Sequence, residues 1–295
     1  MKRFAKRLGW LVGLLFLGLN IVAFFHAYRM SHFTAEGDRT PSSADLNRLQ
    51  KVGVLLGGVK IPKPKLWGDP SQYGLRYSDV KIKTADGFSL SAWLISGGEQ
   101  GVVDGQGLVL MFHGYTATRS QLMAEAAYFV ERGFEVLAVD HRGCGESEGA
   151  YTSVGFHEAK DVAAARAWAQ QYRPDEPIFA YGISMGGVAV LRAIAEGGCA
   201  FDGVIIECPF DRFVHTVQAR FKIMKLPSFP MASVLSFWGG VQLNANVFAH
   251  NPAVYAESVH CPLLVLSGAH DRHAPSGEGR AVAGGAPQGQ FVLFE

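Results

Sequence analysis

The sequence predicts an α/β fold with one mostly parallel central sheet flanked by helices and preceded by a transmembrane helix. Three observations carry this prediction. Short apolar runs alternate with helical stretches from about residue 78 onward, as in three-layer α/β domains. One serine stands in a glycine-rich turn between such a run and a helical stretch. A run of 21 residues without formal charge lies near the N-terminus.

The N-terminal run, Leu8–Tyr28, predicts a membrane anchor over residues 1–28. A helix of this length spans about 31 Å, close to the thickness of a hydrocarbon core. A cleaved signal peptide is the alternative, but its apolar region is usually shorter and ends at a small-residue cleavage site. Here phenylalanine occupies the −3 position of both candidate sites (Phe25 and Phe33). We therefore expect an uncleaved, single-pass anchor.

The charges around this run predict its orientation. Four basic residues precede it, and only Arg29 follows it closely; the four are Lys2, Arg3, Lys6 and Arg7. The positive-inside bias places the N-terminus in the cytoplasm and the domain on the extracytoplasmic side.

The overall composition excludes several classes of protein. With 48% hydrophobic and 12% aromatic residues among 295, the chain is not disordered. The net charge is only +1, so the basic domain of a nucleic-acid-binding protein is missing. The cysteines lack CxxC spacing, so a cysteine-based zinc site is not expected. No metal or organic cofactor is implied by the sequence. No disulfide is assigned among the four cysteines, which are Cys144, Cys199, Cys208 and Cys261.

Residues 29–74 are predicted to form a stem, with Ser42 and Ser43 as candidate caps of a short helix, and residues 75–295 to form the domain. Alternating residues on either side of Asp86-Gly87 predict a hairpin. The mostly apolar runs that follow suit strands buried on both faces. They are Leu108–Phe112, Glu135–Val139, Ile178–Tyr181, Val204–Ile206 and Leu263–Leu266. Residues 209–258 interrupt the alternation and are rich in aromatic residues, which is typical of a cap over the functional edge.

The strongest chemical signal is Gly182-Ile183-Ser184-Met185-Gly186, which directly follows the apolar strand Ile178–Tyr181 and opens a helical stretch. Strand, Gly-x-Ser-x-Gly and helix together form a nucleophile elbow, in which the turn exposes the serine hydroxyl. Ser184 is therefore the predicted nucleophile. The Met185 N–H, at the start of the helix, is a predicted donor to an oxyanion, and the two glycines remove side chains that would collide with neighbouring backbone.

A second signal is Phe112-His113-Gly114-Tyr115, at the end of another strand. The His113-Gly114 pair can turn the chain so that the Tyr115 N–H faces the same oxygen as Met185. Two such donors, fixed toward developing charge, are each worth about 10²–10³ in rate. We expect the His113 side chain itself to be structural.

Together with Asp140-His141-Arg142-Gly143-Cys144-Gly145-Glu146-Ser147 and Ser267-Gly268-Ala269-His270-Asp271, these motifs resemble the α/β-hydrolase superfamily over about residues 75–295. The resemblance is to the branch of monoacylglycerol lipases, serine aminopeptidase-like hydrolases and membrane-anchored relatives. It implies a Ser–Asp–His triad with Asp271 as the acid, and Asp211 is a competing acid. We expect the Asp140–Ser147 segment to shape a loop and not to contact substrate.

The resemblance also implies a histidine base after the last strand, but the last apolar run, Phe291–Phe294, is followed only by Glu295. Three interpretations follow. The chain is a truncated copy that lacks the histidine loop and a final helix, which would leave an apolar face uncovered. Alternatively, His270 or His273 replaces the base, although a residue so near the acid can rarely reach the serine as well. The third interpretation is a relative that binds without turnover.

Two functions are therefore predicted. The first is a membrane-anchored serine hydrolase that cleaves an ester, thioester or amide, preferably of a lipid-like acyl substrate, through an acyl-enzyme. The second is a membrane-tethered binding protein with a hydrolase fold.

Overall fold

The computed structural model describes residues 2–41, 46–96 and 105–295, which contain an eight-stranded sheet of order β1-β2-β4-β3-β5-β6-β7-β8. Strand β2 pairs antiparallel with β1 and β4, and all the other neighbours are parallel. The strands are β1 (Arg76–Lys83), β2 (Ser89–Ser96), β3 (Leu108–Phe112), β4 (Glu135–Val139), β5 (Ile178–Ile183), β6 (Gly203–Glu207), β7 (Leu263–Gly268) and β8 (Gly289–Phe294).

These strands confirm the predicted mostly parallel sheet. Every residue of β3 and β4 is buried, as expected for short apolar runs covered on both faces. The predicted hairpin is β1–β2, whose turn has Gly87 at φ +95° and a hydrogen bond from Thr84 Oγ1 to Asp86 Oδ1 of 2.7 Å. Strand β5 extends two residues further than predicted, so that it leads directly into Ser184.

Helices cover both faces of the sheet. On one face lies α3 (Met123–Val130), preceded by the 3₁₀ turn Arg119–Leu122. Four helices lie on the other face. They are α4 (Ala159–Tyr172), α5 (Met185–Ala195), α8 (Pro252–Tyr255) and α9 (Ser276–Gly285). The apolar residues of these helices face the sheet, such as Val162, Ala165 and Ala169 in α4.

The α3 face is uncovered toward the far edge of the sheet. An apolar groove of about 330 Å³ there is lined by residues that include Phe179, Ile205 and Leu264. On β8, Val292 and Phe294 are 41% and 47% exposed. This part of the sheet therefore presents apolar surface to its surroundings.

The N-terminal helix α1 (Lys2–Ser31) is long and apolar enough to cross a membrane, with a mean hydropathy of 2.2 over its most apolar window. The chain then packs on the domain, since Phe33 and Ile61 are buried beside Cys144. Within the predicted stem, helix α2 (Arg48–Gly57) begins with a capping box between Asn47 and Gln50. The candidate caps at residues 42–43 lie outside the described residues.

Two helices of the predicted cap, α6 (Phe213–Ile223) and α7 (Met231–Leu243), follow β6. They pack on each other, and α7 also packs along α1. The remaining cap helix, α8, packs against α5 and α9. Of the predicted cap, α6 and α7 thus stand next to the N-terminal helix.

A buried charge cluster fixes the loop after β4. The Arg142 guanidinium donates to Asp161 Oδ1 from Nε at 2.9 Å and from Nη2 at 2.7 Å, and to Asp86 Oδ2 at 2.9 Å. The Arg142 and Asp161 side chains are almost completely buried. Although burial raises it, hydrogen bonds from Arg142 and Thr84 hold the pKa of Asp86 well below its usual value. Arg142 therefore shapes the loop, as the sequence predicted.

Replacing Arg142 by methionine should strongly destabilise the protein, because the buried Asp161 carboxylate would lose its guanidinium partner. Breaking one side of a buried ion pair costs about 3–5 kcal/mol. Lys160→Met is the matched control, because Lys160 contacts Asp86 from a half-exposed position at 3.2 Å and should cost at most about 1 kcal/mol. Urea unfolding in detergent, followed by circular dichroism, measures both. Equal losses would contradict the assignment.

Candidate active site

The candidate site begins at the turn between β5 and α5. Ser184 has φ +49° and ψ −110°, a conformation that costs a residue with a Cβ of order 1–3 kcal/mol. Its N–H donates to the Glu207 carbonyl at 2.7 Å, and its carbonyl accepts from the Val188 N–H at 3.0 Å. The turn is thus tied to both β6 and α5. The Ser184 side chain is half-buried, so its hydroxyl is not enclosed in the core.

The glycines of the motif are required by close backbone approach. A methyl group on Gly182 would lie 2.4 Å from the Gly187 nitrogen. One on Gly186 would lie 2.3 Å from the Phe112 carbonyl oxygen and 2.7 Å from that of His113. Helix α5 therefore begins directly against the end of β3, which brings the loop after β3 beside Ser184.

This contact brings the two predicted oxyanion donors into the same region. Phe112 pairs with Gly182 across the sheet, so the loop from His113 to Tyr115 runs alongside the serine turn. The Met185 N–H is the first of α5, where helix N–H groups lack partners. Within the described residues, neither the Met185 nor the Tyr115 N–H donates a hydrogen bond. Both N–H groups therefore lack an acceptor among the described residues, as the predicted role requires.

His113 is fully buried, and its ring is held by backbone groups. Its Nε2 accepts from the His141 N–H at 3.1 Å, so Nδ1 carries the proton and donates to the Gly114 carbonyl at 2.8 Å. Burial, and then the neighbouring His141, lower the pKa of His113 to about 3. The ring is neutral at physiological pH. Gly114 is held in turn by Gln121 Oε1, which accepts its N–H at 3.1 Å.

Asp271 follows β7, two strands away from the serine. Parallel strands end at the same edge, and two interstrand spacings amount to roughly 9–10 Å, enough for an imidazole ring between the two side chains. Asp271 Oδ1 accepts the N–H groups of His273 at 2.7 Å and Ala274 at 3.1 Å, which fixes the carboxylate in its turn. Cys208, at the end of β6, lies between them; burial and the Asp271 carboxylate raise the pKa of its thiol.

The histidines near this edge lie differently from the two alternatives that the sequence suggested. His270 and His273 are exposed, and within the described residues neither ring hydrogen-bonds Asp271 or Ser184. His215, in the first turn of α6, instead places Nδ1 2.9 Å from one oxygen of Asp211 and 3.0 Å from the other. The competing acid Asp211 thus has a histidine partner that sequence reasoning missed, although the i, i+4 spacing could have indicated it.

Asp271 and His215 line one open cleft of about 680 Å³ together with Glu278, from the first turn of α9. Burial, and then the negative charge of Asp211, raise the pKa of Glu278 to about 7. The Asp271 carboxylate acts in the same direction, and His215 opposes it. Glu278 therefore exchanges a proton near neutrality within the candidate site.

Glu158 is a second carboxylate that the sequence analysis missed. It is completely buried, and Oε1 accepts from Thr152 Oγ1 at 2.7 Å and the Ser153 N–H at 2.9 Å, while Oε2 accepts the Gly155 N–H at 2.9 Å. Although burial raises it, His141 and these donors lower the pKa of Glu158. Thr152 also contacts the Met185 sulfur at 3.3 Å. The carboxylate thus holds a loop against the start of α5.

A smaller cavity, of about 80 Å³, lies on the other side of α6 and reaches Tyr115. Most of its lining residues belong to α1, α6 and α7. The lining residues besides Tyr115 are Ala27, Met30, Val154, Phe213, Thr216, Val217, Arg220, Leu235, Ser236 and Gly239. The Tyr115 hydroxyl donates to the Met30 carbonyl at 2.6 Å. The end of the N-terminal helix therefore contacts the loop that carries a predicted oxyanion donor.

A mostly parallel sheet with a strained serine turn at its carboxyl edge defines an α/β-hydrolase. Comparison with known proteins agrees: the family model described as serine aminopeptidase, S33, matches residues 103–258, more than half of the chain. The chain therefore belongs to this family of esterase-, lipase- and peptidase-like hydrolases, as the motifs predicted.

Individual relatives are more distant. The chain is 26% identical over 182 residues to human protein ABHD12B, covering 60% of this chain and 49% of that protein. It is 28% identical over 176 residues to the zebrafish (Danio rerio) lysophosphatidylserine lipase ABHD12, covering 57% and 44%. The chain spans about half the length of these curated relatives. An esterase from Pyrococcus furiosus superposes with a TM-score of 0.62 at 26% identity, covering 78% of this chain and 87% of that one.

Gly186→Ala should damage the site, because its methyl group would collide with two backbone carbonyls of the β3 loop. Gly114→Ala is the matched control, because a methyl group there would lie 3.6 Å from its nearest neighbours, an ordinary contact. We expect a melting temperature lower by several degrees for Gly186→Ala and nearly unchanged for Gly114→Ala. Differential scanning fluorimetry in detergent measures both. A larger loss of melting temperature in Gly114→Ala than in Gly186→Ala would refute the close approach of Gly186 to the β3 loop.

Glu278→Gln should change how stability depends on pH. Because the pKa of Glu278 is raised in the folded state, its contribution is complete below its unfolded pKa, near pH 4.3, and is lost as pH rises through about 7. The wild type should therefore lose stability between about pH 4 and 7 relative to the variant. Melting temperatures across this range measure the difference, with the exposed Glu257→Gln as control. Parallel wild-type and Glu278→Gln curves would contradict the prediction.

Proposed function

We propose that the protein is a membrane-anchored serine hydrolase that cleaves an ester, thioester or amide of a lipid-like acyl substrate through an acyl-enzyme. The observation that carries the proposal is the Ser184 turn, with the available N–H groups of Met185 and Tyr115 beside it. Backbone strain concentrates at active sites, where it holds a reacting group in place. The strained, half-buried Ser184 turn therefore supports a role in covalent catalysis.

In the proposed reaction, Ser184 Oγ attacks the acyl carbonyl carbon while its proton passes to a histidine base. Among the described residues no histidine ring hydrogen-bonds the predicted acid Asp271, and His215, paired with Asp211, is the candidate base. The carbonyl oxygen becomes an oxyanion, which accepts hydrogen bonds from the Met185 and Tyr115 N–H groups. The tetrahedral intermediate collapses as the protonated histidine gives its proton to the departing alcohol, thiol or amine. Water then attacks the acyl-enzyme by the same route and releases the acid and Ser184.

A lipid-like acyl substrate is supported by the surroundings of the site. The cavity beside Tyr115 is lined mainly by apolar groups, with Arg220 as its one charged member among the described lining residues. Its wall includes the end of α1, so an acyl chain could pass between the anchor and the site. Among relatives, one is named a lysophosphatidylserine lipase and a structural neighbour an esterase. The basic residues at the start of α1 support a cytoplasmic N-terminus and an extracytoplasmic domain.

A binding protein with a hydrolase fold is the second candidate. It is favoured by one observation: within the described residues, no histidine hydrogen-bonds the Ser184 hydroxyl. Without a base, a serine hydroxyl stays a weak nucleophile, and only binding and oxyanion effects remain.

A fluorophosphonate probe should label Ser184 in the full chain, reconstituted in detergent or lipid. Phosphonylation requires an activated serine hydroxyl, so labelling separates the hydrolase from the binding protein. Peptide mass spectrometry should place the adduct on the peptide that contains Ser184, and Ser184→Ala should remove it without lowering the melting temperature. A folded wild type that stays unlabelled would refute the hydrolase and favour the binding protein.

A His215→Ala arm examines the histidine that the structure pairs with Asp211. If His215 acts as the base, its loss should slow labelling by about 10²–10⁴. Unchanged labelling in His215→Ala would exclude His215 from the machinery and leave the Ser184 assignment intact.

A further inference from the structure

Helices α1 and α7 pack side by side through specific contacts. Trp238 Nε1 donates to Asn20 Oδ1 at 3.0 Å, and Gln242 Nε2 donates to the Phe24 carbonyl at 2.8 Å. Gly239 faces Ala27, which is buried, so the two backbones approach closely there. Helix α7 is thus fixed to one face of α1 by hydrogen bonds and by small residues.

These contacts fall within the segment of α1 predicted to lie in the bilayer. The span runs from Leu8 to Tyr28, and the contacts with α7 extend from Asn20 to Ala27. At 1.5 Å per residue, Asn20 lies about 12 Å below Tyr28, within the half of a hydrocarbon core of about 30 Å that is nearer the domain. If α1 spans the membrane, α7 cannot stand in water beside it.

The composition and exposure of α7 fit this position. Its 13 residues, Met231–Leu243, include no charged side chain, yet Phe237 and Val241 are 50% and 54% exposed. A helix that is apolar on all sides is normally buried in protein or in lipid. The loop before it adds Leu226 and Phe229, which are 45% and 83% exposed. These four side chains, which we call the cap apolar surface, are each at least 45% exposed.

Basic side chains border this surface where lipid headgroups would lie. Lys222 and Lys225, at and just after the end of α6, are exposed, and neither forms an ion pair with the described residues. Long basic side chains next to an apolar surface can reach the phosphate level while their alkyl stems stay near the acyl chains. Inside the α1–α7 contact, Trp238 Nε1 and Gln242 Nε2 both have acceptors on α1, whereas Gln242 Oε1 is buried without a partner among the described residues.

From these observations we propose that α7 and the loop before it are embedded in the bilayer leaflet next to the domain, with the cap apolar surface in contact with phospholipid acyl chains. This inference rests on the proposed membrane anchoring by α1, and it does not depend on the hydrolase chemistry. Helix α7 is then a second membrane element, which does not cross the bilayer. The cavity at Tyr115, walled by Met30 and Leu235, lies between the two membrane elements and is open to a lipid from the side.

Spin-label accessibility in the full chain tests the proposal. Single cysteines at Phe237 and Val241 are labelled with a nitroxide in a background in which Cys199, Cys208 and Cys261 are serine; Cys144 is kept because it is completely buried. The protein is reconstituted in phosphatidylcholine nanodiscs. Power saturation then compares collisions with oxygen, which concentrates in acyl chains, and with a water-soluble nickel chelate.

Two matched sites set the scale. Leu15, 66% exposed in the middle of α1, reports the bilayer interior, and Tyr128, 52% exposed on α3, reports water. We expect labels at 237 and 241 to favour oxygen over nickel, as at 15, while the label at 128 favours nickel. If the labels at positions 237 and 241 favour nickel while the label at position 15 favours oxygen, the proposal for α7 is overturned and the membrane anchoring by α1 stands. If the label at 15 also favours nickel, the membrane anchoring fails and the proposal fails with it, while fluorophosphonate labelling of Ser184 still decides the hydrolase chemistry separately.

Discussion

The absence of a side chain at Gly186 is the constraint on which the candidate site depends. Because a Cβ on Gly186 would lie 2.3 Å from the Phe112 carbonyl oxygen, α5 and the end of β3 must pack as one unit. That unit brings the loop that carries Tyr115 beside the turn that carries Ser184 and Met185. The Gly182 contact with Gly187 closes the turn from the other side. Strain at the serine is tolerated because these backbone contacts and the bond to Glu207 hold it in place.

Around this unit, buried charges fix loops that carry no chemistry themselves. The Glu158 carboxylate accepts four N–H or O–H groups from residues 152–155 and holds that loop against Met185. Asp140 accepts the Arg119 N–H at 2.7 Å and pairs with the Arg119 guanidinium, which joins the loop after β4 to the turn before α3. The ion pair of Arg142 and Asp161 likewise joins the loop after β4 to helix α4. Buried ions are costly unless paired, so each pair selects one loop arrangement over its alternatives.

Local patterns in the sequence were enough for most of the sheet and for the elbow. Strands such as Leu108–Phe112 have the predicted bounds because their continuous apolar character is itself the consequence of burial on both faces. The Ser184 turn was predictable because strand, glycines and helix are consecutive. The pairing of Asp211 with His215, the raised pKa of Glu278 and the role of Glu158 were not, since each depends on which elements meet in three dimensions. The bond between Trp238 and Asn20 joins residues 218 positions apart and leaves no local pattern.

That long-range contact changes the meaning of the N-terminal helix. A simple tether would be joined to its domain by a mobile segment, whereas here α1 packs on α7, the Met30 carbonyl at its end accepts the Tyr115 hydroxyl, and Phe33, two residues after α1, is buried in the domain. Helix α1, helix α7 and the loop with a proposed oxyanion donor are therefore in direct contact. A hydrolase built in this way would hold its entrance at a fixed depth in the leaflet. Its acyl substrate would then move from the bilayer to Ser184 without passing through water, which avoids the cost of exposing an acyl chain, about 0.8 kcal/mol per methylene group.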